Sequence, residues 1–141
     1  MTADSGAVRI GLLGCGTVGQ SVVRWLDEGG ATIERASGHR LEVGPILVRD
    51  AARPRPGVDP ALLTTDPARV LDDPDVSVIV EVMGGVQPTL DYLRRALQCG
   101  VSVVTANKQL MARHGPELFD VAQASGAELR FEASVCAAIP T

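Results

Sequence analysis

Lysine is almost absent from this chain of 141 residues: of its 13 basic side chains, only Lys108 is a lysine. A partly buried lysine can titrate and arginine cannot, so the single lysine is singled out for inspection. Cysteine is also scarce. Cys15, Cys99 and Cys136 are odd in number and form no C-x-x-C pair, which excludes a disulfide framework and a thiolate zinc site. They read as buried thiols in a reducing, cytoplasmic setting. Histidine is limited to His39 and His114, each alone in a polar stretch, which argues against a metal role. No basic cluster accompanies the net charge of -4, so no nucleic-acid partner is expected. No apolar run approaches a membrane span, and no membrane partner is expected. The first residues, Met1 to Gly6, lack the basic and apolar regions of a signal peptide. Internal repeats and low-complexity tracts are missing too. What remains is 45% hydrophobic and 21% charged, ordinary for one globular domain with its own core.

The most informative stretch is Val8–Gly19. An apolar run ends in Gly14-Cys15-Gly16-Thr17-Val18-Gly19, a G-x-G-x-x-G loop. The loop opens into a helical pattern in which Val18, Val22, Val23 and Leu26 share a face. In a dinucleotide site Gly14 permits a tight turn, Gly16 lets a pyrophosphate approach the backbone, and Gly19 lets helix and strand pack closely. The free N–H groups at the helix start then face the anion, with Thr17 and Val18 beside it. A tight strand–helix turn without a ligand is the alternative.

Alternation continues along the chain. A first strand over about 8–13 and a helix over about 17–28, stopped by Gly29-Gly30, are followed by a strand ending at Ile46-Leu47-Val48. Pro45 makes the early part of that strand irregular or an edge. Residues 51–57 form a surface loop, and Leu62-Leu63-Thr64 a short strand. Asp66 caps, and Pro67 opens, a short helix through Leu71. Strand 76–82 ends at Gly84-Gly85, and a helix follows over about 88–98. Strand 101–104 leads to a helix opened by Pro116 and stopped by Gly126, then to a last strand at 129–131. Strands that alternate with helices along the chain imply an α/β fold of Rossmann type, a doubly wound parallel sheet with helices on both faces.

In the common strand order, the first strand and strand 76–82 are neighbours where the order reverses. Ligands bind there, beyond the carboxyl ends. Gly14–Gly19, Val82–Gly85 (with Gly84 and Gly85) and Thr105–Lys108 then surround one crevice. The second strand ends in Val48-Arg49-Asp50. Arg49 suits the 2′-phosphate of NADP and Asp50 the 2′-hydroxyl of NAD, with NADP favoured. Glu81, inside an apolar strand, reads as a buried carboxylate that anchors nearby loops in preference to one that touches cofactor.

The sequence resembles the homoserine dehydrogenases. The matching stretches are Gly11–Gly19, Val80-Glu81-Val82-Met83-Gly84-Gly85, Val103-Val104-Thr105-Ala106-Asn107-Lys108, and Phe131–Val135 through Ile139-Pro140. The resemblance implies reversible NAD(P)-dependent oxidation of L-homoserine to L-aspartate 4-semialdehyde, a step in threonine, methionine and isoleucine biosynthesis. By position it puts the catalytic Lys108 beside nicotinamide and substrate, and Thr105 near the cofactor. It assigns a sodium ion to the backbone carbonyls of Glu132, Val135, Ala137 and Ile139. The family often carries glycines where this chain has Cys136-Ala137-Ala138. It also has a substrate domain with a homoserine-binding carboxylate and a second catalytic lysine. The expectation is therefore that residues 1–141 are the NAD(P)-binding domain of a longer enzyme. That enzyme would be homo-oligomeric, and this portion would be inactive alone. The alternatives are a stand-alone NAD(P)-binding module without dehydrogenase activity, and another dehydrogenase with a similar front half.

Overall fold

A computed structural model describes residues 7–131. Strand β1 (Ala7–Leu13) leads to helix α1 (Thr17–Ser37), β2 (Arg40–Leu47), a 3-10 turn (Pro60–Leu62) and β3 (Leu63–Thr64). Then come α2 (Ala68–Leu71), β4 (Val76–Glu81), α3 (Thr89–Gln98), β5 (Ser102–Thr105), α4 (Lys108–Ser125) and β6 (Leu129–Phe131). The sheet order is β3-β2-β1-β4-β5-β6, and every neighbouring pair is parallel. The expected Rossmann-type architecture is therefore observed, with the order reversing between β1 and β4.

Successive strand residues face opposite sides, and the two cores follow that period. Ile10 and Leu12 join Val22, Val23 and Leu26 of α1 on one face. Leu13 and Ile79 join Leu90, Leu93 and Leu97 of α3, and Leu110 and Leu118 of α4, on the other. Leu12, Leu13, Ile79, Leu93 and Leu118 are completely buried. Burial of each such side chain contributes roughly 1.5–3 kcal/mol. Pro45 leaves the mark expected of it. Ile10 pairs with Val43 but Leu12 pairs with Ile46, so β2 carries an extra residue at Gly44-Pro45. Beyond the proline, only Ile46 and Leu47 pair with β3.

Two helix boundaries differ from expectation. Helix α1 runs through Gly29-Gly30 and stops at Gly38, where φ is +78° and the N–H donates to Glu34 O at 2.8 Å. A glycine inside a helix costs roughly 1 kcal/mol, too little to end one whose next turn packs Ile33 against the core. Helix α4 starts at Lys108, not at Pro116. Asn107 caps it, with Oδ1 accepting from Leu110 N at 3.0 Å. Pro116 lies inside this helix and denies the carbonyl four residues earlier its donor. The buried Leu110 and Leu118, on either side, hold the helix across that defect. One cysteine also differs: Cys15 is buried, but Cys99, at the end of α3, is exposed.

Candidate nucleotide-binding site

The carboxyl ends of β1, β4 and β5 carry three loops that meet. Gly14 N donates to Leu47 O at 2.9 Å, and Val82 N donates to Leu13 O at 2.9 Å, which holds the loop after β4 against the glycine loop. The glycines divide the work. Gly14 has φ +102°, and a Cβ there would lie 2.9 Å from Met83 Cα. A Cβ on Gly19 would lie 2.8 Å from Gly14 O. Both positions demand glycine for the fold itself. Gly16 is different. Its φ of -82° suits any residue, and a Cβ there would meet nothing within 4 Å. Neither backbone conformation nor packing requires glycine at this point, yet the position opens onto the N-terminus of a 21-residue helix.

That N-terminus has no side-chain cap and no acidic residue in its first turn. Its N–H groups and the positive end of the helix dipole are left for an anion. Gly16 and Thr17 are exposed, and Val18 is half-buried against the core. A pyrophosphate therefore fits the residues present: open space over Gly16, free donors behind it, and no carboxylate in the first turn to repel it.

Arg49 is exposed one residue beyond Val48, at the same end of the sheet. Asp50 is turned to local use, its Oδ1 accepting from Ala52 N at 3.0 Å. Arg55, which sequence reading passed over, ties this loop to the glycine loop. Its Nε donates to Cys15 O at 3.2 Å, and its Nη1 donates to Asp50 O and Arg53 O, each at 2.9 Å. Burial pushes the Cys15 thiol up, and the nearby Arg55 guanidinium partly opposes that shift.

On the other side of the crevice lies a buried polar network. Glu81 is 1% exposed. Its Oε2 accepts from Met83 N at 3.0 Å and Gly84 N at 2.9 Å, and its Oε1 accepts from the Thr105 hydroxyl. The Thr105 oxygen in turn accepts from Asn107 N at 3.1 Å, and Asn107 Nδ2 donates to Gly85 O at 2.7 Å. Gly84 and Gly85, with φ of +77° and +75°, form the tight turn that brings these groups together. Thr105 thus lies at the crevice but is completely buried, and its hydroxyl is engaged within the protein. Glu81 anchors loops, as its place in an apolar strand suggested.

Lys108 is the first residue of α4 and is exposed. Its surroundings are apolar: with Met111, Ala112, Gly115, Pro116, Phe119 and Phe131 it lines an open groove of about 500 Å³. His39 is exposed, and His114 Nδ1 lies 3.3 Å from Glu117 Oε1 on the outer surface of α4. Among the described residues no cluster of histidine, cysteine and carboxylate side chains forms a metal site. The carbonyls of Glu132, Val135, Ala137 and Ile139, assigned to sodium, lie outside the described residues, as does Cys136. No described helix is long and apolar enough to cross a membrane.

Comparison with known proteins gives a consistent result. The profile of the homoserine dehydrogenase NAD-binding domain family matches residues 14–132. The homoserine dehydrogenase of Corynebacterium glutamicum is 47% identical over 134 residues, which is 95% of this chain and 30% of that protein. That of Bacillus subtilis is 43% identical over 135 residues, 95% of this chain and 31% of the relative. The structure of S. aureus homoserine dehydrogenase at pH 8.5 superposes with a TM-score of 0.84 at 42% identity, covering 91% of this chain and 32% of that one. A hyperthermophilic archaeal homoserine dehydrogenase in complex with NADPH shares the fold, with a TM-score of 0.72 at 23% identity over 91% of this chain and 44% of that one. The chain thus spans about 30% of the length of the curated relatives it matches.

Proposed function

The chain belongs to the homoserine dehydrogenase NAD-binding domain family, and from that premise we propose that it holds NAD(P) for the reversible oxidation of L-homoserine to L-aspartate 4-semialdehyde. The observation that carries this reading is Gly16, a glycine with no structural need to be one, set before uncapped helix donors.

The residues divide the cofactor between them. The N–H groups at the start of α1 take the pyrophosphate, with Gly14 and Gly19 fixing the loop and Gly16, Thr17 and Val18 nearest the anion. Arg49 takes the 2′-phosphate and favours NADP over NAD. Gly84, Gly85 and Thr105 shape the nicotinamide side. The bound nicotinamide supplies the hydride acceptor or donor. Lys108 is the catalytic residue of this portion. In the oxidation direction its amine would accept the hydroxyl proton as the carbonyl forms, and in the reverse direction its ammonium would return that proton to the substrate oxygen and steady the charge there. The remaining assignments rest on the family resemblance: a sodium ion on the carbonyls of Glu132, Val135, Ala137 and Ile139, a cytoplasmic homo-oligomer, and a role in threonine, methionine and isoleucine biosynthesis. A binding module without dehydrogenase activity is not favoured, because the relatives that match nearly the whole chain are homoserine dehydrogenases.

Calorimetric titration of the chain with NADPH and NADH tests this reading. Saturable binding of NADPH, tighter than NADH, is expected. Absence of binding for both at millimolar concentration would overturn it.

A further inference from the structure

We propose that Glu81 is the positioning residue of the nicotinamide side, coupling the loop after β4 to the start of α4 through Thr105 and Asn107. This rests on the nucleotide-binding reading and goes beyond it, because Glu81 reaches the crevice only through other groups.

A carboxyl group buried to 99% is costly unless every oxygen finds a donor. Glu81 finds three, and they come from two different loops. Met83 N and Gly84 N belong to the loop after β4, and the Thr105 hydroxyl belongs to the end of β5. No arginine, lysine or histidine pairs with it among the described residues. Its partners are all hydrogen-bond donors fixed in place by the backbone or by packing. Thr105 passes the constraint on by accepting from Asn107 N. Asn107 then does two things at once: Nδ2 closes back onto Gly85 O, and Oδ1 caps α4 at Leu110 N. Lys108 is the next residue. The ring of contacts therefore sets the height of Gly84-Gly85 relative to Lys108. A hydrophobic isostere of Glu81 would leave the Met83, Gly84 and Thr105 donors unpaired, each at the cost of a buried unsatisfied group.

The sheet order supplies the discriminating test. A dinucleotide straddles the switch point, one half over the β1–β2 side and the other over the β4–β5 side. Arg49 and the glycine loop are on the first side, and the Glu81 network is on the second. Changes in the network should therefore weaken ligands that carry the nicotinamide half and spare those that do not.

The experiment uses this chain with two probes, NADPH and 2′,5′-ADP, titrated by calorimetry well below the melting temperature of each variant. Thr105→Val keeps the shape of the side chain and removes the hydroxyl link. Thr105→Ser keeps the link. Glu81→Gln keeps size and an oxygen to accept from Met83 N and Gly84 N, but offers Thr105 a donor in place of an acceptor. Thr105→Val and Glu81→Gln are expected to weaken NADPH about ten-fold or more, the loss of one hydrogen bond's worth of positioning. 2′,5′-ADP should stay within about two-fold, and Thr105→Ser should bind both probes like the unsubstituted chain. Equal loss for both probes, or no loss for either, would overturn the inference and leave Glu81 a purely structural residue. If Glu81→Gln fails to fold, the Thr105 pair decides alone. An unsubstituted chain that binds neither probe overturns the nucleotide-binding reading itself, an outcome distinct from equal losses among variants.

Discussion

Replacing Gly16 by alanine separates ligand binding from folding more cleanly than any other change in the glycine loop. The added methyl group meets no atom within 4 Å, and φ at -82° is open to alanine. Two small terms act on stability. Alanine is a poorer N-cap than glycine by roughly 0.5–1 kcal/mol. Alanine also restricts the unfolded chain, which stabilises the fold by roughly 0.4–1 kcal/mol. These nearly cancel, so the melting temperature should move by no more than about 4 °C. The nucleotide faces a different balance, because the methyl group occupies the space the pyrophosphate would enter. Withdrawal of the anion loses one or two charge-assisted hydrogen bonds, each worth about 1.5–3 kcal/mol. Affinity for NADPH should therefore fall by about ten-fold to several hundred-fold or more. Gly19→Ala is the control: its Cβ would press on Gly14 O at 2.8 Å, so it should lower the melting temperature as well as affinity. Calorimetric titration and thermal melts on the same samples give both quantities. If Gly16→Ala binds NADPH as the parent does, or melts as low as Gly19→Ala, the assignment of this space to a pyrophosphate is wrong.

Arg49→Ala should weaken NADPH about ten-fold or more and barely change NADH, the signature of a lost guanidinium–phosphate contact; equal losses in parallel titrations would make Arg49 an ordinary surface residue. In a longer protein carrying this domain, Lys108→Ala and Lys108→Arg should each lower kcat for homoserine by about 10²-fold or more, since arginine keeps the charge but cannot exchange the proton. Neither should shift the thermal melt of the isolated chain, because Lys108 is exposed; a near-normal kcat in steady-state assays would remove it from the chemistry. Iodoacetamide labelling at pH 8, read by peptide mass spectrometry, should mark exposed Cys99 well before buried Cys15. The raised Cys15 thiol also fixes a sign. The folded chain keeps that proton longer than the unfolded one, so its contribution to stability is complete below the ordinary thiol range and is lost as pH rises through the folded value. A Cys15→Ala variant should lose less stability between neutral and strongly alkaline pH, measured by denaturant melts.

Local signals carried much of this protein. Gly14, Gly16 and Gly19 between an apolar run and an amphipathic helix were legible because backbone conformation and helix period are properties of neighbouring residues. The same holds for strand 76–82 and for Gly126 ending α4. Even Pro45 announced the irregularity beside β1. Tertiary packing decided the rest. Gly29-Gly30 and Pro116 looked like helix boundaries, but packing of the half-buried Ile33 and of the buried Leu110 and Leu118 outweighs a local preference of a few kcal/mol. Asn107 was readable in principle as a cap before Leu110, and Pro116 masked it. Arg55 bonds Cys15 across 40 positions of sequence, and Glu81 meets Thr105 across 24. No periodicity or spacing encodes such pairs. They exist because parallel strands bring the ends of β1, β2, β4 and β5 to one edge, and there buried polar groups must find partners wherever the fold supplies them.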